Sequence, residues 1–311
     1  MGFPLFRLPQ LAILEVFQHC NPLEVFTISK TSTRAKHFVR TLKRKVHSVQ
    51  LILSRNFKMR MMENDNSTVY SFKVVQNLDR KVAKPEGNII TLNVDRPLEG
   101  ALDLFKHFQE IFSLSLHYLS IDTAFFDNPQ LELLCIAARA SFPSIYLAVE
   151  SREKLDQLLR VLSRPLPRLA ILFLPHWCGG SNSDVPIQSV QCEALTLTFL
   201  ARLAQLQLIM TFDFITAEFN RIVMPSGDLN AFLKSWKQGK THQRMKRLEM
   251  RYFSYLNLAI AFEGLEPTSD DPDVLYSDFG EIGIDGTDGK IAKVEIDEHW
   301  GITSFVITVD D

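Results

Sequence analysis

Cysteine is scarce in this chain: four residues in 311, Cys20, Cys135, Cys178 and Cys192. None stands in a CxxC pair, and Cys20 and Cys135 sit inside apolar helical patterns, where a thiol acts as a small hydrophobe. That is the usage of a reducing compartment rather than of a disulfide framework, and a nuclear or cytosolic (cytoplasmic) protein is expected. Unbroken apolar runs of about 18 residues are also missing, so no spanning helix and no membrane partner are expected. The opening MGFPLFRLPQ has no basic segment followed by an apolar core and a small-residue cleavage site, and no secretory leader is read there.

Catalytic and ligand-binding motifs are equally sparse. There is no GxxxxGK[ST] loop and no GxGxxG after a strand, so no glycine loop cradles phosphate. Gly179-Gly180-Ser181 is not a GxSxG elbow and reads as a surface turn. His176, Cys178 and Cys192 offer three zinc ligands where a structural site needs four. Asp285 and Asp288 around Gly286 do not complete a calcium loop. The eight histidines are scattered. Neither an enzyme nor a cofactor is supported.

What the chain does have is ordinary globular material: 46% hydrophobic, 23% charged, net charge -2. The length suits two domains, or one elongated domain with an appendage. Charge is unevenly spread. From Lys30 to Arg60 there is no Asp or Glu, while ten residues are Lys or Arg; from Asp270 to the end twelve acids face only Lys290 and Lys293. Two readings follow for the basic stretch: a nucleic-acid patch, or a solvated helix face neutralised by the acidic end. Few aromatics interleave it and no base-reading module is visible, which favours the second.

The first 45 residues read as three short helices. Pro9 suits a helix start, and Ile13, Val16 and Phe17 follow at helical spacing. Asn21-Pro22 caps and opens a second helix, and a basic third runs from Ser32 to Lys45. So small a module leans on the next domain or on a partner, and its surplus apolar surface marks a docking site. From Val46 to Asp95 the period becomes two, with strands at 47–53, 69–75 and 89–94 and a polar turn at 63–67. Further strands are expected at 117–122, 145–150, 169–174, 194–198, 219–224 and 247–252, their centres about 25 residues apart. Helical patterns fill the gaps at 129–140, 152–162, 199–208 and 228–238, whereas 175–188 reads as a Gly/Ser/Pro loop. Such spacing predicts a degenerate leucine-rich-repeat-like array, units too small to bury their own apolar faces stacking on one another; an ordinary mixed sheet is the alternative. After an acidic, Pro-containing loop at 264–273, strands at 279–284, 290–296 and 302–309 form a β-meander with a hairpin turn at 285–289.

Several motifs together resemble a known family. Phe3-Pro4-Leu5-Phe6-Arg7-Leu8-Pro9, the helix through Val16-Phe17, Asn21-Pro22-Leu23-Glu24-Val25-Phe26 and Ser29-Lys30-Thr31-Ser32 resemble an F-box. Leu11 stands where many F-boxes have Glu, Cys20 where they have Leu, and the third helix lacks the usual Trp. Asp228-Leu229-Asn230-Ala231-Phe232-Leu233-Lys234-Ser235-Trp236-Lys237-Gln238-Gly239, followed by Arg247-Leu248-Glu249, is similar to the DLNxFLKxWxxG helix of the type 2 F-box-associated domain of nematode F-box proteins. Ile284 to Ala292 is similar to that family's DGTxAT hairpin.

The resemblance implies a non-catalytic substrate-recognition subunit of a Skp–cullin–F-box ubiquitin ligase. An α/β chain would then divide into an F-box at 1–47 and an associated domain at 48–311, the latter made of a β-rich lead-in (48–95), strand/helix repeats (114–262) and the meander (274–311). The first would dock on a Skp-type adaptor, and through it on a cullin; the second would hold a target protein. Adaptor contacts are expected from Pro4, Leu5, Leu8, Pro9, Ile13, Val16, Phe17, Pro22, Leu23 and Phe26, about half of which must also form the module's own core. Phe232, Leu233 and Trp236 read as helix core, and no residue is assigned to the target.

Overall fold

A computed structural model describes residues 7–42, 44–62, 69–76, 87–127, 130–131, 142–162, 165–178, 190–199, 205–252, 256–266, 280–286, 289–299 and 302–310. The chain divides into two compact units, Met1–Ile121 and Asp122–Asp311.

The first unit opens with three helices, α1 (Gln10–His19), α2 (Pro22–Ser29) and α3 (Thr33–Leu42). The third stops short of the expected Lys45, because Lys45 already pairs with Ser113 in a sheet. Strands β1 (Lys45–Leu53), β2 (Phe57–Met62), β3 (Val69–Gln76), β4 (Ile89–Val94) and β5 (Ser113–Asp122) form that sheet in the order β5-β1-β2-β3-β4. β2 runs antiparallel to both β1 and β3, while β5 lies parallel to β1 and β4 parallel to β3. A parallel return needs a crossover. Here it includes α4 (Pro97–Ile111), whose Pro97 suits the first helical turn.

Two of these elements differ from the sequence reading. β2 falls where no strand was expected, its alternation of Met59 and Met61 (buried) with Lys58 and Arg60 (on the other face) disguised as part of the basic run. The helix α4 was also not expected, although Leu104, Phe105, Phe108 and Ile111 recur at helical spacing and are all buried. Gly100 lets α4 lie close to β4, since a Cβ there would come within 2.9 Å of Val94 Cγ2.

In the second unit β6 (Ser144–Ser151), β7 (Leu166–Cys178), β8 (Val190–Phe199), β9 (Phe212–Ile222) and β10 (Arg247–Tyr252) are parallel and lie side by side in chain order. The helices between them are α5 (Arg152–Val161), the short α6 (Gln205–Ile209) and α7 (Ser226–Lys237), followed after β10 by α8 (Leu258–Ala261). Antiparallel β11 (Gly280–Asp285), β12 (Ile291–His299) and β13 (Ile302–Asp310) form the meander, with β13 pairing to β10. Gly286 donates to the Lys290 carbonyl across the hairpin, and Gly289 takes φ +83°, a conformation that suits glycine.

Several boundaries shift. β7 continues to Cys178 rather than yielding to a loop at 175. β9 begins at Phe212 and ends at Ile222, not Met224, because a polar-apolar alternation starts earlier and Pro225 follows. Of the helix expected over 199–208, residues 205–209 are helical and Phe199 is instead the last residue of β8, while 200–204 lie outside the described residues. The helix at 129–140, the turn at 63–67 and the end of the acidic loop, 267–273, fall wholly or mostly outside the described residues.

Candidate functional site

The proline-started helix α1 has two sides. Pro9 provides the carbonyl that accepts from Ile13 N (3.1 Å), and Ile13 and Phe17, one turn apart, are buried at 5% and 2% exposure. On the opposite arc Leu11 is 80% exposed and Val16 40%, with Ala12 exposed between them. Single exposed apolar residues are normal; a cluster on one short helix marks a surface that another polypeptide covers.

The second helix is fixed by a capping box. Asn21 Oδ1 accepts from Glu24 N at 3.0 Å, and Glu24 Oε2 accepts from Asn21 N at 2.7 Å. The Arg44 guanidinium donates to the Cys20 carbonyl just before it. α2 thereby presents Leu23, Val25, Phe26 and Ser29 inward. Phe26 stacks on Phe108 (centroids 5.0 Å apart, planes at 15°) and meets the edges of Phe72 (5.0 Å) and His107 (5.6 Å). Phe17 contacts Phe38 at 5.5 Å, and Lys36 of α3 pairs with Glu110 of α4.

The ten expected adaptor residues therefore separate. Pro4 and Leu5 lie outside the described residues. Leu8 is half-buried, and Pro9 and Val16 are exposed. Ile13, Phe17, Pro22, Leu23 and Phe26 are buried in the chain's own fold. The helical periodicity that grouped Ile13, Val16 and Phe17 did not divide them; long-range packing does. Leu11, which the expected set omits, is the most exposed large apolar residue on α1. The basic run is likewise broken up, Lys36 and Arg44 being drawn into internal contacts.

Beneath α2, His107 carries a measurable property. Ser29 Oγ donates to the Phe26 carbonyl (2.6 Å), so it accepts from Nε2–H of His107 (2.7 Å), and the ring is neutral. Burial first, then the charges of Lys30 and Lys36, hold this imidazole down at about 4, against a weaker opposing pull from Glu110. In the unfolded chain it titrates near 6.5. Between those values the unfolded chain binds more protons, so the stabilisation is fully present above about pH 6.5 and is lost as pH falls towards 4. Discounted for partial access to solvent, it is worth about 2 kcal/mol. The unfolding midpoint of the wild type is expected to fall more steeply between about pH 7 and 4.5 than that of His107→Gln; parallel curves would exclude the effect.

In the second unit the DLNxFLKxWxxG helix is α7. Leu229, Phe232, Leu233 and Trp236 are buried, as expected of core. Asn230 Nδ2 donates at 2.9 Å to both Ala261 O and Glu263 O, tying α7 to the turn around α8. Gly239 closes the helix at φ +69°: its N–H donates to Trp236 O and that of Lys240 to Ser235 O, a Schellman motif. The motif thus builds a fold. Asn230→Asp deletes the shared donor and puts a carboxylate beside two carbonyls, a cost of about 2–4 kcal/mol. Urea denaturation is expected to register that loss, and to show Asn230→Ala less impaired.

Cys192 is buried on β8, and burial, reinforced by Asp213, pushes its thiol up to about 12. Among the described residues no three His, Cys, Asp or Glu side chains gather as a metal site, and no helix is long and apolar enough to cross a membrane.

Comparison with known families agrees with this division. The F-box domain model matches residues 5–47, which hold α1 to α3. The F-box associated model matches residues 188–250, which hold β8, β9, α7 and most of β10. The chain thus carries an F-box domain and an F-box associated domain. No curated protein and no solved structure matches it.

Proposed function

We propose that this protein is the substrate-recognition subunit of a Skp–cullin–F-box ubiquitin ligase. The observation that carries this reading is an F-box whose first helix leaves Leu11, Ala12 and Val16 open to solvent beside Leu8 and Pro9. Residues 1–47 dock on the Skp-type adaptor and, through it, on a cullin. Residues 48–311 hold a target protein, raising its effective concentration beside the ubiquitin-loaded enzyme. The subunit is non-catalytic, and its reduced cysteines suit a cytoplasmic or nuclear site.

Two finer points belong to the same proposal. The likeness of α7 and the 284–292 hairpin to the type 2 domain of nematode F-box proteins supports reading the chain beside that group. The side-by-side order of β6 to β10 and their near-even spacing support reading them as a leucine-rich-repeat-like array, with the meander capping one end.

Co-expression with a Skp-type adaptor tests the function. Stable co-purification that persists in moderate salt is expected, because an apolar interface does not depend on screened charge. If the chain elutes alone, the ligase reading gives way to a target-binding scaffold without ligase assembly. Capture of nucleic acid that collapses steeply with salt would instead favour the binder suggested by 30–60.

A further inference from the structure

We propose that the outward face of the first unit's sheet is a docking groove for an extended acidic peptide, with Lys58, Arg60 and Lys73 supplying the charge. The face lies opposite the one that buries Val49, Leu51, Met59, Met61, Phe72 and Val74. It falls between the two family matches, in a segment that neither assigns.

The register places the cations together. Lys58 on β2 stands directly across from Lys73 on β3, and Arg60, two residues along β2, stands between Gln50 and Ser71. Facing like charges on neighbouring strands repel and weaken a sheet unless something neutralises them. Among the described residues no carboxylate pairs with any of the three. The second unit's sheet shows the contrast: there Arg251 already meets Glu218 (3.3 Å) and Glu249 (2.8 Å). The first unit's three cations are thus open to an anion.

The surface is also shaped. Ser48, Gln50, Arg60, Ser71 and Asn88 line a groove of about 790 Å³ that Met62 and Val69 bound on the apolar side. Ser48 Oγ lies buried in this lining without a hydrogen-bond partner, its residue 2% exposed. A buried hydroxyl left unpaired is costly, and a ligand polar group there would satisfy it. Among the described residues no aromatic ring lines the groove to stack a base; Arg60 is its cation, and Lys58 and Lys73 stand outside its lining, two residues along the same face. This lining favours a peptide, whose carboxylates meet the cations while neighbouring polar groups reach Ser48 and Asn88.

This inference rests on the substrate-recognition reading and gives the target a chemistry. The test uses the full chain, co-expressed with a Skp-type adaptor and purified through a tag on the chain itself, and a labelled peptide of roughly ten residues alternating Glu and Ser, read by fluorescence anisotropy. Binding is expected for that peptide and not for its Gln/Ser counterpart. Lys58→Glu combined with Lys73→Glu should weaken it about tenfold or more, whereas Lys73→Arg should preserve it. Arg60→Gln, which removes charge without reversing it, should give an intermediate loss at an unchanged melting temperature. Equal binding of both peptides, or indifference to the charge reversal, overturns the groove. Tighter binding of a single-stranded thymidine oligonucleotide with the same residue dependence overturns it in favour of nucleic acid. Adaptor co-purification is scored on the same samples: its loss with peptide binding intact defeats the ligase reading alone, and the reverse pattern defeats the groove alone.

Discussion

Phe108→Ala is expected to lower the melting temperature of the first unit by about 10 °C or more and, with it, to abolish adaptor binding. Phe108 is fully buried and touches Phe26 at 5.0 Å, Phe72 at 4.8 Å and Phe112 at 5.3 Å, so it joins α2, β3 and α4 in one cluster. Truncating such a ring costs about 3–5 kcal/mol, through lost transfer energy and the cavity left behind. A unit of this size has only about 5–15 kcal/mol to lose, and each kcal/mol moves the midpoint by a few degrees. Adaptor binding follows because α2 rests on this ring. Calorimetry of the full chain provides the measurement, and a midpoint within about 2 °C of the wild type would show that the cluster is not what holds α2 in place.

That cluster also shows what a sequence can and cannot reveal here. The local instructions were readable. Asn21-Pro22 announces the cap and start of α2, β10 occupies its expected span of 247–252, and Phe232 with Trp236 marks the inner face of α7. What escaped depended on partners distant in the chain. β2 alternates like any strand, but its outward positions are Lys58 and Arg60, so charge hid the period. α4 has ordinary helical spacing, yet its meaning, a cover over Phe72 and Phe26, exists only once β3 and α2 are assembled around it. On α1 the periodicity placed Ile13, Val16 and Phe17 near one another without saying which way they face. Only the position of Phe38 and the rest of the unit turns Phe17 inward and leaves Val16 out. The first helix was therefore legible as a helix, but not which of its residues stay open to solvent.

The difference between buried and open residues on α1 gives the second large expected effect. Leu8→Asp combined with Val16→Asp should weaken adaptor binding by about a hundredfold or more while leaving the melting temperature nearly unchanged. Val16 is 40% exposed and Leu8 only half-buried, so the isolated chain loses little when they become polar. In the complex each substitution removes about 1 kcal/mol of further apolar burial and puts a carboxylate into an apolar interface, at about 1–3 kcal/mol more. A loss of about 2.7 kcal/mol already amounts to a hundredfold. Ile13→Asp is the counterpart: at 5% exposure its charge would unfold the helix, and binding and melting temperature should fall together. Leu11→Glu tests the flank with a single charge. Leu11 is 80% exposed, so this charge should leave the melting temperature unchanged, and on the open apolar flank it should weaken binding by itself. Quantitative pull-down beside thermal melting separates the three variants. If Leu8→Asp with Val16→Asp retains wild-type affinity, the open flank of α1 is not where the adaptor binds, and the F-box would have to dock through a surface made of other residues.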